Sequence, residues 1–305
     1  MIANSAKRRM TRGERADMLG FFAFASPWLL GFLCLTLIPM AASLYISFTS
    51  WNLMTSPTWV GIANIKEVFA DPLFYQALKV TFTYAFIAVP LNITISLFIS
   101  LLLNNKLRGM NLFRTIFYMP AVVSGVVVAI VWLWVFQPEF GIINNLLKLI
   151  GIQGPKWVYD EHWAMPSMII MSLWNVGGSI VMYLAALQNV STELYEASMI
   201  DGAGWWRKLF HITLPSISPI LLFTVITGFI NAMQTFSQAF IMTGGGPNNA
   251  TLFYAYYVYN NAFRWHKMGI AATLAWIMFI LIFVLTMIII RASGGFVHYE
   301  NEGGA

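Results

Sequence analysis

Six apolar stretches, each long enough to cross a lipid bilayer, leave this chain little choice of solvent. A helix needs about 20 apolar residues to span the hydrocarbon core. The stretches run from about Leu19 to Phe48, Val80 to Leu103, Leu112 to Phe136, Met165 to Leu187, Ile217 to Met242 and Gly269 to Ile290. Asp, Glu, Lys and Arg are confined to their ends. Only 10% of the 305 residues are charged, where a water-soluble domain carries about 25%. Backbone groups in lipid must satisfy one another, and a helix does so within one segment. The expected fold is therefore all-α and integral to the membrane, with six transmembrane helices. Pro39, Pro90 and Pro120 fall inside the stretches, which membranes tolerate where neighbouring helices satisfy the freed carbonyls. A basic N-terminus precedes the first stretch, as in a secretory signal. That stretch exceeds the roughly 7–15-residue apolar core of a signal and no small-residue cleavage site follows, so it reads as a retained span.

Orientation follows from the basic residues. With the N-terminus inside, the cytoplasmic segments hold Lys7, Arg8, Arg9, Arg12, Arg15, Lys106, Arg108, Arg114, Arg207, Lys208 and Arg291. The outer segments hold Lys66, Lys79, Lys148, Lys156, Arg264 and Lys267. The asymmetry places both termini in the cytoplasm. Trp51, Trp59, Trp157, Trp163, Tyr257, Tyr259 and Trp265 are then expected as an outer aromatic belt. The same end-of-segment clustering explains the net charge of +5 without nucleic acid. His162, His211, His266 and His298 are scattered, lacking HExxH spacing or cysteine partners, so no metal site is expected. Cys34 is the sole cysteine and cannot form an internal disulfide. No GxxxxGK[ST] loop occurs, so the chain does not itself cradle ATP phosphates in the P-loop manner.

The longest cytoplasmic loop reads NVSTELYEASMIDGAGWWRKLFHITLPSISP. Thr192 is placed to cap a short helix, with Glu193 and Glu196 near its positive end. Leu194, Ala197 and Ser198 share a face at helical spacing. Gly202 is a natural stop because glycine accepts the left-handed conformation after a last turn. A second short helix is predicted from Gly204 to about Ile212, with Pro215 delaying further helix until the fifth span.

Glu196-Ala197-Ser198, then Gly202, then Ile212-Thr213-Leu214-Pro215 resembles the EAA loop of bacterial ABC importer permeases, EAA-x3-G-x9-I-x-LP. Ser198 replaces the second Ala, small for small, and Asp201 and Ala203 fit the extended DGA form. Trp59-Val60-Gly61-Ile62-Ala63-Asn64 resembles the family's FVGLxNF element, and Arg114-Thr115-Ile116-Phe117-Tyr118-Met119-Pro120 its RTxFFxP element. Thr243-Gly244-Gly245-Gly246-Pro247 resembles the outer loop of the carbohydrate-uptake branch, in its first permease subunit. The acidic end Tyr299-Glu300-Asn301-Glu302 agrees with that subunit type, the companion ending in a basic tail.

The resemblance implies an ABC type I importer permease fold with a cytoplasmic coupling helix. It implies a basic N-terminus over 1–18, a first helix and outer segment over 19–75, a five-helix core over 76–292 with its coupling loop at 189–215, and a cytoplasmic tail over 293–305. A second homologous permease subunit, two ATPase subunits that bind ATP and Mg, and an extracytoplasmic binding protein complete the machine in a bacterial or archaeal cell membrane. This chain then holds no cofactor and hydrolyses nothing. Glu196, Ala197, Ser198, Asp201, Gly202, Ala203, Ile212, Leu214 and Pro215 are the residues expected to couple it to the ATPases.

Polar groups inside spans are costly unless they face protein or a wet cavity. Asn231, Gln234, Thr235 and Gln238 lie in the fifth stretch, with Asn231, Thr235 and Gln238 at i, i+4, i+7. Together with Trp174, Asn175 and Tyr183 of the fourth they supply the amides, hydroxyls and aromatic faces that a sugar needs. The bland alternative is interhelical glue, the role expected for Asn92. An ion-coupled secondary transporter would carry intramembrane charges, and a membrane enzyme would carry a paired carboxylate, His cluster or nucleophile-and-base arrangement; the stretches contain neither. A glycerol-phosphate importer shares the framework.

Overall fold

The computed structural model describes residues 12–105 and 109–294. Most of the basic N-terminus, Lys106, Arg108 and nearly all of the tail thus lie outside the described residues. Within them, four helices are long and apolar enough to cross a membrane, and two bent pairs bring the count to six. The first span runs Arg12–Phe32, Leu33–Leu37 and Ile38–Ser47, the middle piece being a π-helical turn. Its wider ring precedes Pro39, whose missing N–H cannot continue an ordinary α turn. The second span, Pro72–Leu103, starts a full two turns before the expected Val80, because Asp71 accepts the Leu73 N–H at 2.8 Å and caps it. The third is Met110–Val122 plus Gly125–Val135, the fourth Glu161–Ser172 plus Gly177–Gln188, the fifth Ser218–Met233 plus Ser237–Met242, and the sixth Met268–Ser293.

The second span is the centre of the bundle, packed against the fourth and fifth. Its buried face is built from small residues such as Ala77, Ala85, Ala88, Ser96 and Ser100, which let backbones approach closely. At Gly228 of the fifth span an added Cβ would meet the Val89 side chain at 3.0 Å. Arg114 closes the C-terminal end of the second span, its guanidinium donating to the Leu103 carbonyl at 3.0 Å, where the helix dipole favours a cation.

The first span packs on the sixth and is otherwise uncovered. The WVGIAN element explains the attachment. The buried Asn64 amide donates to the Ser47 and Thr49 carbonyls at 2.8 and 2.9 Å, and Thr273 of the sixth span donates to Ser47 at 2.9 Å. Gly269 leaves room for this clasp, since a Cβ there would strike the Thr49 carbonyl.

The segment between the fifth and sixth spans departs from the expected belt. Tyr257 is 1% exposed, because the helix Tyr254–Tyr259 folds down between the second and sixth spans. The Tyr254 N–H donates to Thr81 Oγ1 at 2.8 Å and its hydroxyl to the Leu274 carbonyl at 2.9 Å. The Tyr257 hydroxyl donates to the Asp71 carboxylate. Burial and then the Asp71 carboxylate push this phenol above its ordinary range, keeping it a donor. Trp157 is likewise internal, its indole donating to Asn144 Oδ1 at 2.6 Å. Trp59, Trp163 and Trp265 remain exposed, consistent with a belt made from fewer residues.

Candidate functional site

Three spans lose their helical backbone at one place. The third bends by 102° between Val122 and Gly125, and the fourth by 43° between Ser172 and Gly177. The fifth is interrupted between Met233 and Ser237. Irregular backbone at membrane depth is tolerated where it is buried in protein or lines a water-filled cavity, and here it lines a cavity of about 260 Å³. Each break contributes to the wall: Gly125 from the third span, Asn175 and Val176 from the fourth, Thr235 from the fifth. The second span completes it with Tyr84, Ala88 and Asn92. The described lining includes amides, hydroxyls and apolar groups but no Asp, Glu, Lys, Arg or His.

Asn231, Thr235 and Gln238 do meet in this cavity. They do so across an interruption rather than along one regular helical face. Gln234 falls on the interruption and is exposed outside the cavity. Asn175 lines the wall; Trp174 does not, its ring standing edge-on to Trp132 at 6.3 Å. Tyr183 is revised most. It is fully buried, and its hydroxyl meets Thr224 Oγ1 at 2.7 Å in the seam between the fourth and fifth spans. Asn92 plays the expected interhelical role, donating to Ser172 Oγ at 3.1 Å, and lines the cavity as well. Tyr84, Ser172, Ser179 and Thr224 were not anticipated. Tyr84, Ala88 and Asn92 repeat at four-residue spacing, a stripe that was legible once Asn92 was taken as its end.

The 189–215 loop forms a second exposed feature. Ser191, one residue earlier than Thr192, caps the helix Thr192–Ile200 by accepting the Glu193 N–H at 3.2 Å. Gly202 adopts φ +70°, with its N–H on the Met199 carbonyl at 3.1 Å and the Ala203 N–H on the Ser198 carbonyl at 2.9 Å. This paired pattern is a Schellman stop, which glycine fits best. The following helix, Trp205–Lys208, runs on through a π-helical turn at Leu209–Thr213 into Leu214–Ser216. Pro215 therefore does not delay the fifth span; the wider turn before it accommodates the missing N–H.

The nine expected coupling residues divide by face. Ser198 is buried, and Ile212 and Leu214 pack around Leu187, Val190 and Ile217. Glu196, Ala197, Asp201 and Gly202 point outward; Ala203 and Pro215 are half-buried. Exposed beside them stand Ile200 at 87%, Trp206 at 66%, Met199, Trp205 and Phe210. Trp205 and Trp206 meet at 4.5 Å and Trp206 stacks on Phe210, giving a contiguous aromatic surface.

Residues 93–295 match the family described as the binding-protein-dependent transport system inner membrane component. The "Probable ABC transporter permease protein YesP" of Bacillus subtilis is 41% identical, covering 99% of each chain. The lactose transport system permease protein LacF of Rhizobium radiobacter is 36% identical over 83% of this chain and 86% of its own. Among solved structures, a chain of the bacterial alginate ABC transporter, in complex with an alginate pentasaccharide-bound periplasmic protein, superposes with a TM-score of 0.83. It is 22% identical, covering 94% of this chain and 98% of that one.

Proposed function

The chain belongs to the binding-protein-dependent transport system inner membrane component family, and from that premise we propose that it is a permease subunit passing a sugar or short oligosaccharide through an ATP-driven importer. The observation that carries this reading is the uncharged cavity, in which three broken spans present amides and hydroxyls. Such groups match sugar hydroxyls, and a described wall without a cation favours a sugar over glycerol-phosphate. Relatives named for lactose and arabinooligosaccharide transport support the same substrate class.

In this reading a second permease subunit closes the open side of the pathway and an extracytoplasmic binding protein delivers the sugar. Two ATPase subunits, which hold ATP and Mg, dock on the 189–215 loops, with both termini of this chain in the cytoplasm. Tighter binding of ATP to one conformation draws the coupling helices together and turns the cavity outward; hydrolysis returns it.

Uptake of labelled lactose, arabinotriose and maltotriose tests the reading in cells with and without the gene for this chain. At least one sugar is expected to enter only when the gene is present, to survive collapse of the proton gradient and to stop when ATP is depleted. Uptake that follows the ion gradient instead overturns it.

A further inference from the structure

The cavity and the inner loop are joined by one helical hairpin. Its outward limb is the inner half of the fourth span, Gly177–Gln188, which leads through three residues into Thr192–Ile200. Its return limb runs from Trp205 through the π-helical turn to Met233. At one end Ser179 and Asn231 line the cavity; at the other lies the exposed Trp206 surface. Twelve residues of helix reach about 18 Å; the outward limb is jointed at 189–191 and the return limb at Ile217, so contacts between the limbs have to hold them in line.

Two bonds of the same kind tie the limbs together. Tyr183 meets Thr224 at 2.7 Å in the middle of the spans, and Tyr195 meets Thr213 at 2.8 Å in the loop. The Thr224 hydroxyl donates to the Leu221 carbonyl and that of Thr213 to the Lys208 carbonyl. A threonine that spends its one proton on that carbonyl accepts from the tyrosine across the seam. Between the two bonds lies an apolar cluster that includes Leu187, Val190 and Ile217. Sliding one limb past the other would break the buried Tyr183 pair and the part-buried Tyr195 pair together, which makes joint movement the easier response.

We infer that Tyr183 and Tyr195 are positioning residues that lock this hairpin into a single lever between the ATPase face and the cavity. The inference rests on the ATP-coupled reading above. Neither tyrosine touches the transported sugar; each holds the limb that does.

The test uses the complete transporter with its ATPase subunits, in a Cys34→Ser background that removes the one native thiol of this chain, with labelling read on this chain alone. A Ser179→Cys reporter in the cavity wall is labelled with an impermeant maleimide, with and without the non-hydrolysable nucleotide AMP-PNP. The parent complex is expected to change its labelling rate on adding nucleotide. Tyr183→Phe and Tyr195→Phe are each expected to shrink that change about threefold or more, the size of one lost buried hydrogen bond, while ATP hydrolysis continues. Thr224→Ser, which keeps the hydroxyl, is expected to respond as the parent does. If Tyr183→Phe does not assemble, Thr224→Val removes the same bond from the other side. Variants that respond to nucleotide like the parent, even at a lower melting temperature, reduce the pairs to packing and overturn the lever. Failure of both seam variants to assemble also overturns it. A parent that shows no nucleotide response sinks the ATP-coupled reading instead.

Discussion

The 189–215 loop and the cavity invert the usual placement of side chains in opposite senses. The loop turns Ile200, Trp205, Trp206 and Phe210 outward, away from the bundle that would bury them. The cavity turns Asn92, Asn175, Asn231 and Gln238 inward, among helices whose surroundings are apolar. Each arrangement costs free energy unless a partner covers it or a ligand and water fill it. They also differ in construction. The loop is one continuous segment of some thirty residues with its own stop and caps, so its shape exists before any partner arrives. The cavity is assembled from four spans and exists only because three of them break. The surface of the loop is thus locally encoded, whereas the cavity depends on the whole bundle.

The largest expected effect falls on the loop. Ile200 is 87% exposed, so Ile200→Asp leaves the isolated permease unchanged, with a melting temperature within about 2 °C of the parent, as for other surface substitutions. Against a partner the same carboxylate is desolvated without a counter-charge, at several kcal/mol. ATPase affinity is expected to fall about 100-fold or more, seen as loss of the ATPase subunits on co-purification. Retention of the normal stoichiometry breaks the comparison at its first point.

A smaller effect tests whether the loop's preformed shape matters apart from its surface. Nothing lies within 4 Å of a Cβ added at Gly202, so only its φ of +70° penalises substitution. A β-branched residue there costs about 1–3 kcal/mol of strain, whereas Asn enters this region several times more readily than most residues. Gly202→Val is expected to lower binding-protein-stimulated ATP hydrolysis about tenfold, and Gly202→Asn to keep most of it. Equal losses would show that the side chain clashes with the partner and that backbone conformation is not the cause.

This difference in construction also decides what was legible in the sequence. The span count and the Gly202 stop follow from patterns within about twenty residues, whereas Asn231, Thr235 and Gln238 meet across a break that their helical spacing does not show. The bend at Val123–Ser124 is marked locally only by Pro120 and the Ser124-Gly125 pair, which membrane helices often absorb without breaking; packing of its two halves against the fourth and fifth spans decides there. Tyr183 was assigned to the cavity because tyrosine suits a sugar, yet its ring fills the seam. An aromatic with one polar atom satisfies either site, and only the position of Thr224, forty-one residues away, distinguishes them. Trp205 and Trp206 were visible in the sequence but carried no position in the EAA pattern. Their exposure is a property of the folded loop.

The smallest expected effect belongs to single amides of the cavity, and Gln234 makes it measurable. Asn231 and Gln238 line the wall, while Gln234, in the same stretch and of the same chemistry, is exposed outside it. A lost hydrogen bond to a sugar hydroxyl costs about 0.5–1.5 kcal/mol, a several-fold loss in apparent affinity. A lost interhelical amide bond averages about 0.6 kcal/mol and lowers stability instead. Asn231→Ala and Gln238→Ala are therefore expected to raise the half-saturating concentration of the transported sugar several-fold, with melting temperature and ATPase stoichiometry nearly unchanged. Gln234→Ala is expected to leave uptake within about twofold of the parent, as an exposed group off the pathway does. If Gln234→Ala weakens uptake as much as the other two, the break in the fifth span is not where the pathway turns. If all three leave uptake intact and lower the melting temperature, the amides hold helices together. The cavity then loses its claim on the sugar, and the contrast with the inner loop reduces to one surface built for docking beside an ordinary polar seam.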